Sequence, residues 1–211
     1  MRGAKVKSKS GRRPPVKVKS GPELPLLPIA VGGILVVLAI VLIIIAVANN
    51  NKANKPGQAT AAGIPCDVGE QTQVHYHAAL QILYQGPPVS LPNDTGRLTT
   101  CFYWLHMHAE SPGVIHIESP RNRTFTLGDF FAVWAASKGT PEPLDSRHVG
   151  QTTLTGDQQL VVYVDLGDGK GAQLNTGDPA KIQLKAHEVI TLEIAPPTVS
   201  PPPTFLFQAG L

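Results

Sequence analysis

A run of twenty-one residues without a charge, PIAVGGILVVLAIVLIIIAVA at 28–48, constrains this chain more than any other feature of its sequence. At 1.5 Å rise per residue, a helix of this length spans a hydrocarbon core about 30 Å thick. The alternative is a cleaved signal peptide, because the AVA before Asn49 resembles a small-residue cleavage site. The apolar region of a signal peptide is shorter, however, at about 7–15 residues. The run therefore predicts a single transmembrane helix.

Charge is distributed unevenly on the two sides of this run. Residues 1–27 carry a net charge of about +7, whereas the rest of the chain carries about −4. A basic flank favours the cytoplasmic side of a membrane. The basic segment could instead bind nucleic acid, but its mixture of Lys with Gly, Ser and Pro beside an apolar span is more typical of a disordered tail on anionic lipid. We therefore expect a single-pass protein of the cytoplasmic (plasma) membrane, with its N-terminus inside, its C-terminal domain outside and no nucleic-acid partner.

Changes in composition divide the chain into five segments. The stretch after the apolar run, NNNKANKPGQATAAG, is polar and rich in small residues, which is typical of a flexible tether. The last sixteen residues are rich in proline. The predicted segments are a basic disordered tail (1–27), a transmembrane helix (28–48), a flexible linker (49–63), a β-rich domain containing the histidine cluster (64–195) and a Pro-rich extension (196–211).

The two cysteines of the chain, Cys66 and Cys101, both follow the apolar run. If the domain lies outside the cytoplasm, an even pair in an oxidising compartment favours a disulfide. Such a bond would close a loop of about 35 residues and stabilise the fold by about 3 kcal/mol. Two thiolate metal ligands are the alternative, but no CxxC motif supports them. We predict a disulfide.

Short alternating apolar patterns dominate the domain. The stretch TQVHYHAALQILYQG (72–86) followed by PPVSLP (87–92) predicts two strands joined by a Gly-Pro turn. CFYWLHMH (101–108) and VIHIE (114–118) predict a second pair, with ESPG as the turn. These patterns favour an α+β fold that is mainly β.

The period changes at FTLGDFFAVWAASKG (125–139), which predicts a short helix covering one face of the sheet. Thr126 is placed to cap its N-terminus, with Asp129 completing a capping box. Farther on, 159–174 predicts a hairpin and HEVITLEI (187–194) a final strand. The Pro-rich end carries two aromatic side chains, Phe205 and Phe207, that could pack on the domain. There is no Gly-rich phosphate loop and no nucleophile elbow in the sequence.

Five of the seven histidines fall between positions 75 and 116. Residues i and i+2 of a strand point to the same face, about 6.6 Å apart. The predicted strands therefore carry three same-face polar pairs, which converge if the strands are neighbours: His75 with His77, His106 with His108, and His116 with Glu118.

Neutral imidazoles with a carboxylate are typical ligands of zinc or copper. We therefore predict a divalent-metal site formed by these six residues. The alternatives are a structural polar face and a pH-sensing histidine cluster. Met107 would point to the opposite face and is not counted as a ligand. Glu110 is either a general base beside metal-bound water or a turn residue, and His187 is more typical of a structural residue at a strand entry.

The runs HYHAALQILYQG, CFYWLHMHAESPGVIHIESP and RTFTLGDFFAVWA resemble an uncharacterised family of bacterial and archaeal single-pass membrane-anchored proteins. The family pattern is HYHAHL, WLHTHDxxGVIHIESP and FTLGQFFxxWG, followed by a VYVxG hairpin and a LxxHEEI strand near a Pro-rich end. The resemblance covers about 65–211. It implies a shared fold and site and supplies no reaction. The residues that match are His75, His77, His106, His108, His116, Glu118 and His187.

This chain departs from the family pattern at two places. Ala79 stands where HYHAHL has a third histidine, and the acid after the second HxH motif is Glu110, one position later than in WLHTHD. The HMHAE run is also unlike a cupin motif, in which the acid lies about four residues beyond the second histidine. We expect a different small β fold.

The sequence thus predicts a membrane-anchored extracytoplasmic protein that binds zinc or copper for metal binding, sensing or transfer. Two other functional classes stay open at this stage. One is a metal-dependent enzyme of unknown substrate, with three histidines on the ion and Glu110 or Glu118 moving the proton. The other is a membrane-tethered interaction module with structural histidines, which would hold an unknown protein partner through its Pro-rich end.

Overall fold

The computed structural model describes residues 35–45 and 60–211. The predicted basic tail 1–27, the linker residues 49–59 and both ends of the predicted membrane span lie outside the described residues. The chain divides into two compact units at Ala46 and Val47, and each is described by itself.

In the first unit, residues 35–45 form helix α1, and their apolar side chains are exposed. Within the two described ranges, the structure contains no helix of sufficient length and apolar character to cross a membrane. The transmembrane helix at 28–48 therefore stays a prediction.

The second unit is built on a six-stranded mixed sheet, which confirms the mainly β, α+β class. Its strand order is β10-β9-β11-β3-β6-β5, and all neighbours are antiparallel except the parallel pair of β11 with β3. The strands are β3 (Val74–Tyr84), β5 (Leu105–His106), β6 (Val114–Ser119), β9 (Gln159–Asp165), β10 (Gln173–Asn175) and β11 (Val189–Ala195).

Two smaller sheets complete the strands. One has the order β1-β2-β4, and the other pairs β7 with β8. β1 lies within the stretch that the sequence assigned to the linker. A short 3-10 helix, Pro179–Lys181, precedes β11. The small strands are β1 (Thr60–Ala61), β2 (Ile64–Asp67), β4 (Phe102–Tyr103), β7 (His148–Val149) and β8 (Thr152–Thr153).

The structure corrects two of the predicted strands. The PPVSLP stretch makes an isolated bridge between Leu83 and Pro88 and is not a strand, because its three prolines have no N–H to donate to a ladder. The predicted strand 101–108 is broken at Trp104 into β4 and β5, which belong to different sheets. The other predicted strands are present at 74–84, 114–119, 159–165, 173–175 and 189–195.

Helix α2 (Leu127–Lys138) confirms the predicted helix and its start. The Thr126 hydroxyl accepts the Asp129 N–H, and the Asp129 carboxylate accepts the Thr126 N–H. These two bonds satisfy N–H groups that a helix start would otherwise leave without partners. The buried residues of α2 pack with the sheet in a single hydrophobic core. The residues of α2 in that core are Leu127, Phe130, Phe131, Val133 and Trp134.

A disulfide joins Cys66 of β2 to Cys101, as predicted. It ties the segment before β3 to the segment before β5. A second tie lies beside it, because the buried Trp104 indole donates a 2.7 Å hydrogen bond to Asp67. Both contacts hold β5 in place although it has only two residues.

The Pro-rich extension packs on the domain through its backbone and its aromatic side chains. The Val199 N–H donates to the buried Glu193 carboxylate of β11. The Phe207 ring lies 5.3 Å from the His187 ring, and Phe205 lies beside Gly113. The extension therefore contacts the loop that precedes β6.

Candidate metal centre

Strand register brings the histidines together on one face of the sheet. His77 of β3 lies opposite His116 of β6, and His116 lies opposite His106 of β5. In the next row, His75 of β3 lies opposite Glu118 of β6. Since His116 and Glu118 alternate with the core residues Ile115 and Ile117 along β6, these two polar side chains point away from the α2 side of the sheet.

The position of His106 is fixed by a close backbone approach. The Met107 N–H donates to Thr95 O, and Gly96 lies against the backbone of β5. A side chain at Gly96 would collide with the Leu105 carbonyl, so this packing requires glycine. His106 itself is fully buried, and its Nδ1 lies 2.9 Å from Tyr103 O. That contact assigns the Nδ1 proton and directs the Nε2 lone pair toward the neighbouring polar side chains.

Two sets of donor atoms cluster on this face. In the first, one atom from each of four side chains lies within 4.8 Å of the others. Within this group of side chains, His106 Nε2 and His108 Nε2 are 3.0 Å apart, and Glu118 Oε1 lies 3.8 Å from His106 Nε2. Donors around a tetrahedral zinc are about 3.3 Å apart, so this set has the dimensions of a metal site. Its members are His106, His108, His116 and Glu118.

The second set consists of His75, His77 and His116. His75 Nε2 lies 3.1 Å from His77 Nε2 and 3.3 Å from Glu118 Oε1. The two sets therefore share His116, and Glu118 contacts both of them. All six predicted ligands are brought together, five of them on three adjacent strands and His108 two residues beyond the end of β5.

Burial keeps His77, His106 and His108 in the protonation state that metals bind. It lowers the pKa of His106 to about 4. Burial, together with the neighbouring His116 and His75, lowers the pKa of His77 to about 4. The pKa of His108 is lowered for the same reasons, by burial and by His116. These imidazoles are therefore neutral at pH 7, with a lone pair available for an ion.

Glu118 is an ionised group in a buried position. Burial acts to raise its pKa, but nearby His116, His106 and His75 outweigh burial, so the net pKa is lowered. Its side chain is 5% exposed. Among the described residues, Glu118 Oε2 and His116 Nδ1 have no hydrogen-bond partner. Buried polar atoms are rarely left unpaired, so two of them in one cluster fit a role in holding an ion.

Two residues near the cluster were not singled out by the sequence. Glu70 Oε1 lies 3.6 Å from His108 Nε2 and 3.8 Å from His106 Nε2, and Ser111 Oγ lies 3.2 Å from His116 Nε2. The predicted disulfide could have indicated Glu70. It joins Cys66, four residues before Glu70, to Cys101, five residues before His106, and so places the two segments side by side. Ser111 belongs to the predicted ESPG turn, which places it beside His116.

The remaining candidates lie outside both sets. Glu110 is a turn residue with an 80% exposed side chain, 3.9 Å from His108 Nδ1. Met107 is buried in the core, on the face opposite the histidines. His187 has a positive φ of 58° and its Nε2 lies 3.1 Å from Leu211 O. His148 pairs with Asp145 on the surface.

None of the protein-family models, curated proteins or solved structures compared with this chain matches it. The resemblance to the membrane-anchored family therefore stays a prediction. The class of site, a buried His and Glu cluster able to hold a metal ion, follows from the geometry alone.

Proposed function

We propose that this protein binds a divalent transition metal, zinc or copper, through its histidine cluster and presents the ion at the outer face of the cytoplasmic membrane. The observation that carries the proposal is the set formed by His106, His108, His116 and Glu118, whose donor atoms lie within 4.8 Å of one another. Three imidazoles and one carboxylate are a complete set of ligands for a four-coordinate ion.

The donor chemistry supports zinc or copper over harder ions. Magnesium and calcium take oxygen ligands, whereas imidazole suits zinc and copper. The cluster contains no thiolate, because both cysteines are in the disulfide. The ion would be held by neutral histidines with one negative charge from Glu118, and Glu70 would add a second negative charge nearby.

The position of the cluster supports exchange of the ion with a partner or with solvent. His75 and His108 retain side-chain exposures of 45% and 21%, whereas His106 is buried. An ion held between buried and exposed ligands can leave by the exposed side. This arrangement suits binding, sensing or transfer of a metal.

The membrane part of the proposal rests on the sequence. It is supported by the uncharged run at 28–48 and by the excess of Lys and Arg before it. A fusion of alkaline phosphatase after residue 211 tests it, since this enzyme is active only outside the cytoplasm. Activity equal to that of a fusion to a known exported protein supports the topology, and an inactive but expressed fusion contradicts it.

Metal binding is tested on the full-length chain in mild detergent, stripped with chelator and titrated with zinc or copper against a chromophoric competitor. We expect the variant His106→Ala/His108→Ala to lose at least tenfold in affinity. His148→Ala is the matched control, because His148 is also in a strand but lies outside the cluster. Equal affinity of the double variant and the wild type would refute the site.

A further inference from the structure

The cluster contains more ligands than one ion can use. Zinc in proteins is almost always four-coordinate, and the first set alone supplies four donors. His75 and His77 remain, with their Nε2 atoms 3.1 Å apart. This distance is close to the 3.0 Å between His106 Nε2 and His108 Nε2. The two HxH pairs are thus two similar and separate chelating units.

The β6 residues lie between these two units. The His116 ring is 4.5 Å from the His77 ring on one side and 4.3 Å from the His108 ring on the other. Glu118 Oε1 lies 3.3 Å from His75 Nε2 and 3.8 Å from His106 Nε2. Each unit can therefore complete its coordination with a side chain from the same central strand.

We infer that the cluster is a dinuclear centre that holds two divalent transition ions, one at each HxH pair, with the Glu118 carboxylate shared between them and His116 as a ligand of one of the two. The inference rests on the proposed metal-binding function and adds the number of ions and their adjacency. A carboxylate has two oxygens and can face two ions at once. Glu118 is buried, and its Oε2 has no hydrogen-bond partner among the described residues.

The charge of the site also suits two ions. Two adjacent dications repel each other, and a shared carboxylate between them reduces that repulsion. In two-metal sites the ions are about 3.5–4 Å apart. Glu70 lies on the His106 and His108 side and supplies further negative charge. The polar face thus carries negative charge at its centre and at one end.

The first test counts zinc ions per chain. The full-length chain is stripped, loaded with zinc, freed of excess metal and analysed by elemental mass spectrometry. We expect two zinc ions in the wild type, one in His75→Ala, one in His108→Ala and none in the double variant. His75 and His108 are the more exposed members of their pairs, so replacing them disturbs the core least. His148→Ala should keep two.

The outcomes separate this inference from the proposed function. One zinc in the wild type, unaffected by His75→Ala and lost in His108→Ala, would overturn the dinuclear centre and leave the metal-binding function standing. No zinc in the wild type would overturn both. Circular dichroism and an intact disulfide identify any variant that fails to fold. If His75→Ala fails to fold, His77→Ala tests the same pair, and if His108→Ala fails to fold, His106→Ala does so.

The second test measures adjacency with Cu(II) as the probe. At two equivalents, electron paramagnetic resonance should show dipolar broadening and a half-field transition, because the two spins share a ligand. His75→Ala and His108→Ala should each give the spectrum of isolated Cu(II). Two bound but magnetically isolated ions in the wild type would overturn the shared-ligand arrangement.

Discussion

His77 and His116 lie opposite each other on neighbouring antiparallel strands, with their ring centroids 4.5 Å apart at an interplanar angle of 82°. On the other side of β6, His106 is the partner of His116 in the next ladder. Directly opposed side chains in a ladder are the closest cross-strand neighbours in a sheet. The environment of His116 therefore depends on both flanking strands.

Metal binding should accordingly stabilise the domain through His116. At a free zinc concentration one hundred times Kd, one site stabilises the fold by about 2.7 kcal/mol, which corresponds to roughly 5–10 °C in Tm for a domain of this size. We expect His116→Ala to lose most of the zinc-dependent rise in Tm, because His116 belongs to both donor sets. Calorimetry with and without zinc measures this difference. His148→Ala should keep the full rise, and a full rise in His116→Ala would exclude it as a ligand.

The alternation of HxH and HxE motifs was sufficient to predict which residues share a face, because the strand period is fixed at two. It could not give the strand order, which depends on pairings between residues far apart in the chain. β3 has β6 on one side and β11, in parallel, on the other. The position of Glu70 could not be predicted from alternation either. Glu70 is not in a strand, and it approaches His108 because its segment is tied by the disulfide.

The break at Trp104 has a different origin. Alternation across 101–108 predicted one strand, but the hydrogen bonds of this stretch are divided between two partners. Tyr103 lies opposite Cys66 in β2, whereas Leu105 lies opposite Ile117 in β6. Local pattern does not encode such a change of partner, because it is decided by tertiary packing.

The metal-free domain should lose stability in mild acid. The pKa of His77 and that of His106 are about 4 in the folded chain, and an unfolded histidine has a pKa of about 6.5. Between these values the unfolded chain binds more protons, so the free energy of unfolding falls as pH is lowered. The loss approaches about 3 kcal/mol for the fully buried His106 by pH 4. Urea denaturation of metal-free protein at pH 7, 6, 5 and 4 measures it.

Carboxyl groups provide the contrast for this experiment. Their ordinary pKa values are near 4, and the buried Glu188, whose pKa is raised to about 7, adds stability as pH falls, so a loss that begins between pH 6.5 and 5 belongs to histidine. The variant His77→Gln should show a smaller loss in that interval, because it removes one of the histidines whose pKa is lowered in the folded chain. The comparison is made in the Glu188→Gln background, which removes the opposing contribution of Glu188. A free energy of unfolding that is constant from pH 7 to 5 in that background would contradict the prediction.

Glu188 should have the opposite pH dependence. It is 1% exposed, and burial raises its pKa to about 7, although the Lys185 N–H and the Lys185 charge oppose the rise. An unfolded glutamate has a pKa near 4.3. Folding therefore favours the protonated form, and stability falls as pH rises from about 4.5 to 7. Glu188→Gln keeps an acceptor for the Lys185 N–H and removes the charge.

We therefore expect Glu188→Gln to be more stable than the wild type at pH 8, by on the order of 1–3 kcal/mol, and about equal to it at pH 4.5. Chemical denaturation at the two pH values tests this. Glu70→Gln is the control for removal of one negative charge from a partly exposed glutamate. An equal effect of Glu188→Gln at both pH values would show that its charge is not the cause.

Gly96 is expected to affect metal binding although it is not a ligand, because it packs against β5. Its φ is +79°, and an added Cβ would collide with the Leu105 carbonyl and lie 3.0 Å from both His106 Cβ and Val133 Cγ1. Gly96→Ala should therefore destabilise the domain by about 1–3 kcal/mol, through backbone strain and overpacking together. Because β5 must shift to accept the methyl group, zinc affinity should also fall, although none of the four ligands of the first set has been replaced.

The matched control for Gly96→Ala is Gly169→Ala. Gly169 has nearly the same φ, +81°, and among the described residues no atom lies within 4 Å of the position that an added methyl group would take. It is also in the turn between β9 and β10, away from the histidines. Both variants should lose stability from the left-handed backbone, but Gly169→Ala should keep the zinc affinity of the wild type. Equal zinc affinities in the two variants would show that packing against Gly96 does not position His106.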